Sequence, residues 1–120
     1  MHISYLEPTL AMAPLKPAQH LILLLLAEEP TYGVALLERI EDRSSGEITL
    51  NAGSLYRMLA SLVDEGLVEA VEAPAQSGAG APRKSYGATQ KGKKALLAES
   101  RRQAALLDAV RALDLSEEGR

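Results

Sequence analysis

Between Pro17 and Pro30 the chain carries Leu21, Ile22, Leu23, Leu24, Leu25, Leu26 and Ala27, an unbroken apolar run with no polar face of its own. Pro17 suits a first helical turn and Pro30 blocks continuation, so Ala18 to Glu28 is expected to be a helix that is apolar nearly all round. Such a helix must sit at the centre of a core. It falls well short of the roughly 18 residues that suggest a membrane span. No basic flank stands close before the run, and Glu28 and Glu29 come directly after it, unlike a secretory leader. The expectation is a cytoplasmic protein with no membrane partner.

The 120 residues are 47% hydrophobic, enough for one ordinary core. With no Trp or Phe and only four Tyr, that core must be built from Leu, Ala, Val and Ile, a composition that favours helices. The absence of Cys excludes a disulfide framework, a cysteine zinc site and a thiol nucleophile. The two imidazoles are His2, near the terminus, and His20, whose expected role is structural. Neither has carboxylates at metal-ligand spacing, and no Ser has an evident base. Neither an enzyme, a cofactor nor a metal is expected.

Downstream the punctuation is regular. Thr31 is expected to cap a second helix with Val34, Leu36, Leu37 and Ile40 on its apolar side, broken by Ser44, Ser45 and Gly46. Ile48 to Leu50 reads as a short extended piece. Asn51 is a good cap for a third helix, whose Leu55, Met58, Leu59, Leu62 and Val63 keep helical spacing, and Gly66 supplies a left-handed stop. Leu67 to Glu72 alternates as a strand, Ala73 to Pro82 is a loop, and Arg83 to Ala88 returns as a second strand. Thr89 then caps a final helix to about Leu113.

The expected fold class is therefore mainly α with a small β wing, a winged helix-turn-helix with a long C-terminal helix. Its parts are an N-terminal arm (1–16), a winged helix-turn-helix DNA-binding domain (17–89), a dimerisation helix (90–113) and a tail (114–120).

The net charge of −3 and a pI near 5.4 speak against nucleic acid, which is held largely by Lys and Arg on phosphates. The distribution says otherwise. Residues 1 to 72 carry 4 basic and 11 acidic side chains, whereas residues 83 to 102 carry 7 basic ones against Glu99 alone. The third helix opens with Asn51, Ala52, Gly53, Ser54, Leu55, Tyr56 and Arg57. Free N–H groups, small residues that permit close approach and the donors Tyr56 and Arg57 suit a DNA groove, and an ordinary capped surface helix is the alternative. Arg83, Lys84, Ser85 and Tyr86 can grip phosphates, or can simply protect a hairpin edge by charge. Gly78 to Ser85 resembles a phosphate-binding loop, but Arg83 stands where that loop needs glycine and Pro82 removes a donor, so a nucleotide site is rejected.

Several of these stretches resemble the PadR family in order, from about Leu15 to Leu113. Its Pro-x-His-Gly-Tyr stretch stands here as Pro30, Thr31, Tyr32, Gly33, Val34, and its Gly-Thr-Leu-Tyr as Gly53, Ser54, Leu55, Tyr56, with Leu59, Leu62, Gly66 and Leu67 after them. The family's wing strand runs into the last helix as Arg-Lys-Tyr-Tyr-x-Leu-Thr-x-x-Gly, and the same stretch is here Arg83, Lys84, Ser85, Tyr86, Gly87, Ala88, Thr89, Gln90, Lys91, Gly92. Tyr32 replaces the family's His and Val34 its Tyr, and Ser85, Gly87 and Ala88 thin the wing. The resemblance implies a transcriptional regulator, most simply a repressor, that binds double-stranded DNA. The third helix would enter a groove, while the wing and the start of the second helix, with Thr31, Tyr32 and Gly33, hold the backbone. It also implies a last helix that joins two subunits, and a small-molecule effector received at that junction.

Assembly can be argued from the residues too. A helix over 90–113 is roughly 36 Å long at about 1.5 Å per residue, and Leu96, Leu106, Leu107, Val110 and Leu113 place apolar surface along it, interrupted by Glu99 to Gln103. A homodimer covers that surface, as would a helix folded back on its own domain. Two-fold pairing would set two recognition helices about 34–36 Å apart, which implies an inverted-repeat operator. The reading from another class is a winged-helix protein–protein interaction module without DNA binding.

Overall fold

The computed structural model describes residues 13–72 and 84–115. Among these residues, four helices and a three-stranded antiparallel sheet run in the order α1 (Pro17–Glu28), β1 (Thr31–Tyr32), α2 (Gly33–Arg43), α3 (Ala52–Asp64), β2 (Val68–Glu72), β3 (Lys84–Ala88) and α4 (Gln90–Arg111). This is the winged-helix arrangement. The apolar run forms the central helix as expected, with Ile22, Leu23, Leu25 and Leu26 buried and α1 touching α2, α4 and β3. Leu36 and Ile40 from α2, and Leu55, Leu59 and Leu62 from α3, close the core around it.

Helix ends obey local chemistry. The Asn51 side chain accepts the Ser54 N–H at 2.7 Å, and the Thr89 hydroxyl accepts that of Gly92 at 3.0 Å. Gly66, at φ 80°, ends α3 in a Schellman turn, its N–H bonded to the Val63 carbonyl and the Leu67 N–H to that of Leu62. The start of α4 then seals this end. The Thr89 N–H donates to the Leu67 carbonyl, the Thr89 hydroxyl to that of Gly66 and the Lys91 ammonium to that of Glu65.

Four local expectations are corrected. Thr31 does not cap α2 but lies in β1, paired with Tyr86 across to β3, and it is Tyr32 that occupies the cap position. Ile48 to Leu50 forms no strand, because the Ser44 hydroxyl takes both the Ile48 N–H and its carbonyl in a local turn. Val34, assigned to the apolar side of the second helix, is 61% exposed, and Val63 is also exposed. Leu67 and Val68 are both buried, so the alternation breaks where the Schellman turn tucks Leu67 inward. The loop expected over Ala73 to Pro82 lies outside the described residues, as does Arg83.

Candidate nucleic-acid interface

The sheet order is β1-β3-β2, which makes β3 a central strand. Tyr32 stands opposite Ser85, one residue beyond Lys84, so the end of β1 brings the start of α2 beside the exposed Lys84. On the other side, the Tyr56 ring from the first turns of α3 lies against the bare backbone of Gly33. These two contacts link three sequence-distant pieces, with Lys84 next to Tyr32 and Gly33 next to Tyr56. The start of α2, the start of α3 and the foot of the wing are thereby one continuous surface.

Within it Asn51, Gly53, Tyr56 and Arg57 are exposed and Ser54 half-buried. Arg57 Nη2 donates to the Ser54 hydroxyl at 3.3 Å, and its Nη1 lies over Gly53, 3.5 Å from where a Cβ would stand. Four expected contact residues are buried instead. Ser85 is 4% exposed and Tyr86 9%, because a central strand has neighbours on both edges. They are not surface ligands here. Gly87 beside them leaves room for the Pro30 ring, 3.8 Å from where a Cβ would stand. Thr31 is also buried, its hydroxyl accepting from Arg39 at 2.7 Å and donating to the Glu29 carbonyl at 3.0 Å. Gly33 is buried under Tyr56, so its role is one of fit.

The other surface lies on α4. Leu106, Leu107, Val110 and Leu113 are exposed, Leu106 at 67%, while Leu96 is half-buried against the chain's own core. The helix packs on α1 through its first half and is exposed from Gln103 onward. At the boundary a polar cluster ties it down. Glu99, expected to be a polar interruption, is buried and accepts the Leu15 N–H at 2.9 Å and Arg102 Nη2 at 2.7 Å. Those two hydrogen bonds, the backbone one foremost, hold its carboxyl at about 2. His20 bridges from α1 to Ser100, 3.1 Å from its Nε2, and to Gln103, 3.3 Å from its Nδ1, which is the structural role expected.

Sequence reasoning did not reveal Arg39 as the partner of Thr31, nor the exposure of Leu97 and Leu115. Among the described residues there is no group of metal-ligating side chains and no helix long and apolar enough to cross a membrane.

Known proteins share this architecture. The chain is 27% identical to a solved PadR family transcriptional regulator from Eggerthella lenta, over 94% of this chain and 91% of that one, with a TM-score of 0.64. A PadR-like transcriptional regulator from Bacillus cereus, 24% identical over 82% of this chain and 92% of its own, has the same fold with a TM-score of 0.70. No curated protein matches. The model of the transcriptional regulator PadR-like family matches residues 22–98, most of the helix-turn-helix, the wing and the first part of α4. The chain therefore belongs to the PadR-like family and is a transcriptional regulator rather than an enzyme.

Proposed function

We propose that the chain binds duplex DNA sequence-specifically as a homodimer and acts as a repressor by occluding a promoter. The observation that carries this reading is the continuity of the exposed start of α3 with the start of α2 and with Lys84. A helix N-terminus flanked by small residues and a guanidinium matches a major groove and its phosphates, and a cation at the foot of the wing matches the adjacent backbone. Arg57 reads base edges, Asn51, Gly53, Ser54 and Tyr56 seat the helix, and Lys84 with Arg83 holds phosphates. Residues 17–89 form the DNA-binding part and 90–113 the dimerisation helix. The exposed Leu106, Leu107, Val110 and Leu113 are then covered by a second copy, and two-fold symmetry calls for an inverted-repeat operator. A small apolar effector at the junction of the copies is the class of input to test.

Retention on random duplex DNA at low salt, with selection of the bound fragments, tests the reading. Expected are salt-sensitive retention and enrichment of inverted repeats, with repression of a reporter placed behind such a site. Passage without retention, together with recovery of a protein partner, would favour the interaction-module reading.

A further inference from the structure

β1 is two residues long, and a strand so short has little pairing of its own to keep it in place. It nevertheless connects the wing to the helix-turn-helix, through Thr31 opposite Tyr86 and Tyr32 opposite Ser85. A side chain from α2 reaches it. Arg39 Nη1 donates to the Thr31 hydroxyl at 2.7 Å and lies 3.4 Å from the Leu25 carbonyl, while Nη2 pairs with Glu28 at 3.0 Å. Arg43 reaches the same carboxylate at 2.6 and 2.8 Å, fixing Glu28 from a second side and lowering its carboxyl through that hydrogen bond. The Thr31 hydroxyl in turn donates to the Glu29 carbonyl.

Ion pairs with side chains 26–46% exposed contribute little to overall stability, so this cluster is a weak explanation for the fold as a whole. Its geometry is local. It gathers the end of α1, the middle of α2 and the hydroxyl of β1 at one corner. From that corner the strand pair leads directly to Lys84.

We propose that Arg39, acting through Thr31, is a positioning residue for the wing: it clamps β1 onto α1 and α2 and, through the pairing of β1 with β3, fixes Lys84 relative to the start of α3. This inference rests on the DNA-binding reading above for its consequence, though not for its structural half. Thr31→Val keeps the β-branched shape and removes the hydroxyl, Arg39→Met keeps the aliphatic stem and removes the donors, and Thr31→Ser keeps the hydroxyl.

Amide hydrogen exchange on the full chain reads the clamp without DNA. Thr31→Val and Arg39→Met should speed exchange in β1 and at Ser85 and Tyr86 at least tenfold, leaving the core amides of α1 and α3 at the wild-type rate, and Thr31→Ser should restore protection. A double-mutant cycle on DNA reads the consequence. Lys84→Ala should cost less than half as much affinity, as a fold-change, in the Arg39→Met background as in the wild type. Equal costs in both backgrounds, or exchange that accelerates equally throughout the core, would overturn the clamp. Indifference of the wild-type protein to Lys84→Ala would instead sink the wing contact, and the exchange rates would still decide the clamp.

Discussion

The hydroxyl of Tyr56 occupies the space that a Cβ on Gly33 would need, so α2 and α3 meet with a phenol ring laid against bare backbone. Glycine is required there for close approach, not for an unusual backbone angle. The contact sets the distance between the two helices at the point where both face outward.

Gly33→Ala should therefore displace the exposed tip of the Tyr56 ring, and the helix propensity that alanine gains, up to about 1 kcal/mol, opposes the clash, so the net cost should stay below about 1 kcal/mol. In a Tyr56→Ala background only the gain remains, and the same substitution should stabilise. Urea unfolding of the four proteins in the cycle measures the difference, and additive effects would show that the ring accommodates a methyl group.

Gly92 makes a sharper case, because its added Cβ would meet the Leu67 carbonyl and lie 3.3 Å from Leu23 Cδ2. Alanine gains about 1 kcal/mol of helix propensity over glycine, which opposes the clash. Backbone cannot swing aside as a side-chain tip does, so the clash wins. Gly92→Ala is expected to lower stability by a net ~1–3 kcal/mol, readable as a lower urea midpoint with an unchanged slope.

Glu99 supplies a pH dependence. Its carboxyl titrates near 2 in the folded chain against an ordinary 4.5, so below 4.5 the unfolded state takes up the proton first. The stabilisation is fully present above pH 4.5 and is lost as pH falls toward 2. Comparing unfolding of the wild type and Glu99→Gln from about pH 6 to about pH 2 should show a gap that closes across that window. A gap independent of pH would place the effect in packing instead.

Arg57 and Lys84 should differ in kind on a selected operator. Arg57→Ala should cost about 1–3 kcal/mol and relax preference at one base position, whereas Lys84→Ala should weaken all sequences alike and reduce the salt slope by about 1. Gel shifts across a salt series separate the two. Identical salt slopes for wild type and Lys84→Ala would remove Lys84 from the interface.

Assembly is tested at the far end of α4. Leu107→Asp with Val110→Asp places two charges on its exposed apolar surface and should give a folded monomer where the wild type gives a dimer. Light scattering at micromolar concentration decides, and a monomeric wild type would remove the dimer from the proposal.

What could be read from the residues was what is settled locally. Asn51, Thr89 and Gly66 act through bonds to neighbours a few residues away, so cap and stop signals located α3 and α4 within two residues. Thr31 carried the same cap signal and was misread, because its strand partner lies 55 positions away at Tyr86 and its hydroxyl partner is on the next helix. Ser85 and Tyr86 looked like surface ligands since alternation says nothing about which strand is central. Glu99 looked like a break in an apolar surface because the Leu15 N–H that receives it comes from 84 residues earlier. The candidate site was thus legible at the start of α3, and elsewhere depended on tertiary pairing.

The seal between α3 and α4 bears on movement. Three carbonyls at the end of α3 are bound by Thr89 and Lys91, and Gly92 packs on the last of them, so the two helices are joined tightly at that corner. At 22 residues α4 is about 33 Å long, and a tilt of about 5° at the corner moves its far end by ~3 Å. It is a lever whose short arm is α3. On the proposed assembly, small shifts where two copies meet would reach the start of α3 as rotation, carried through this corner and through the α1 contacts that hold the first half of α4.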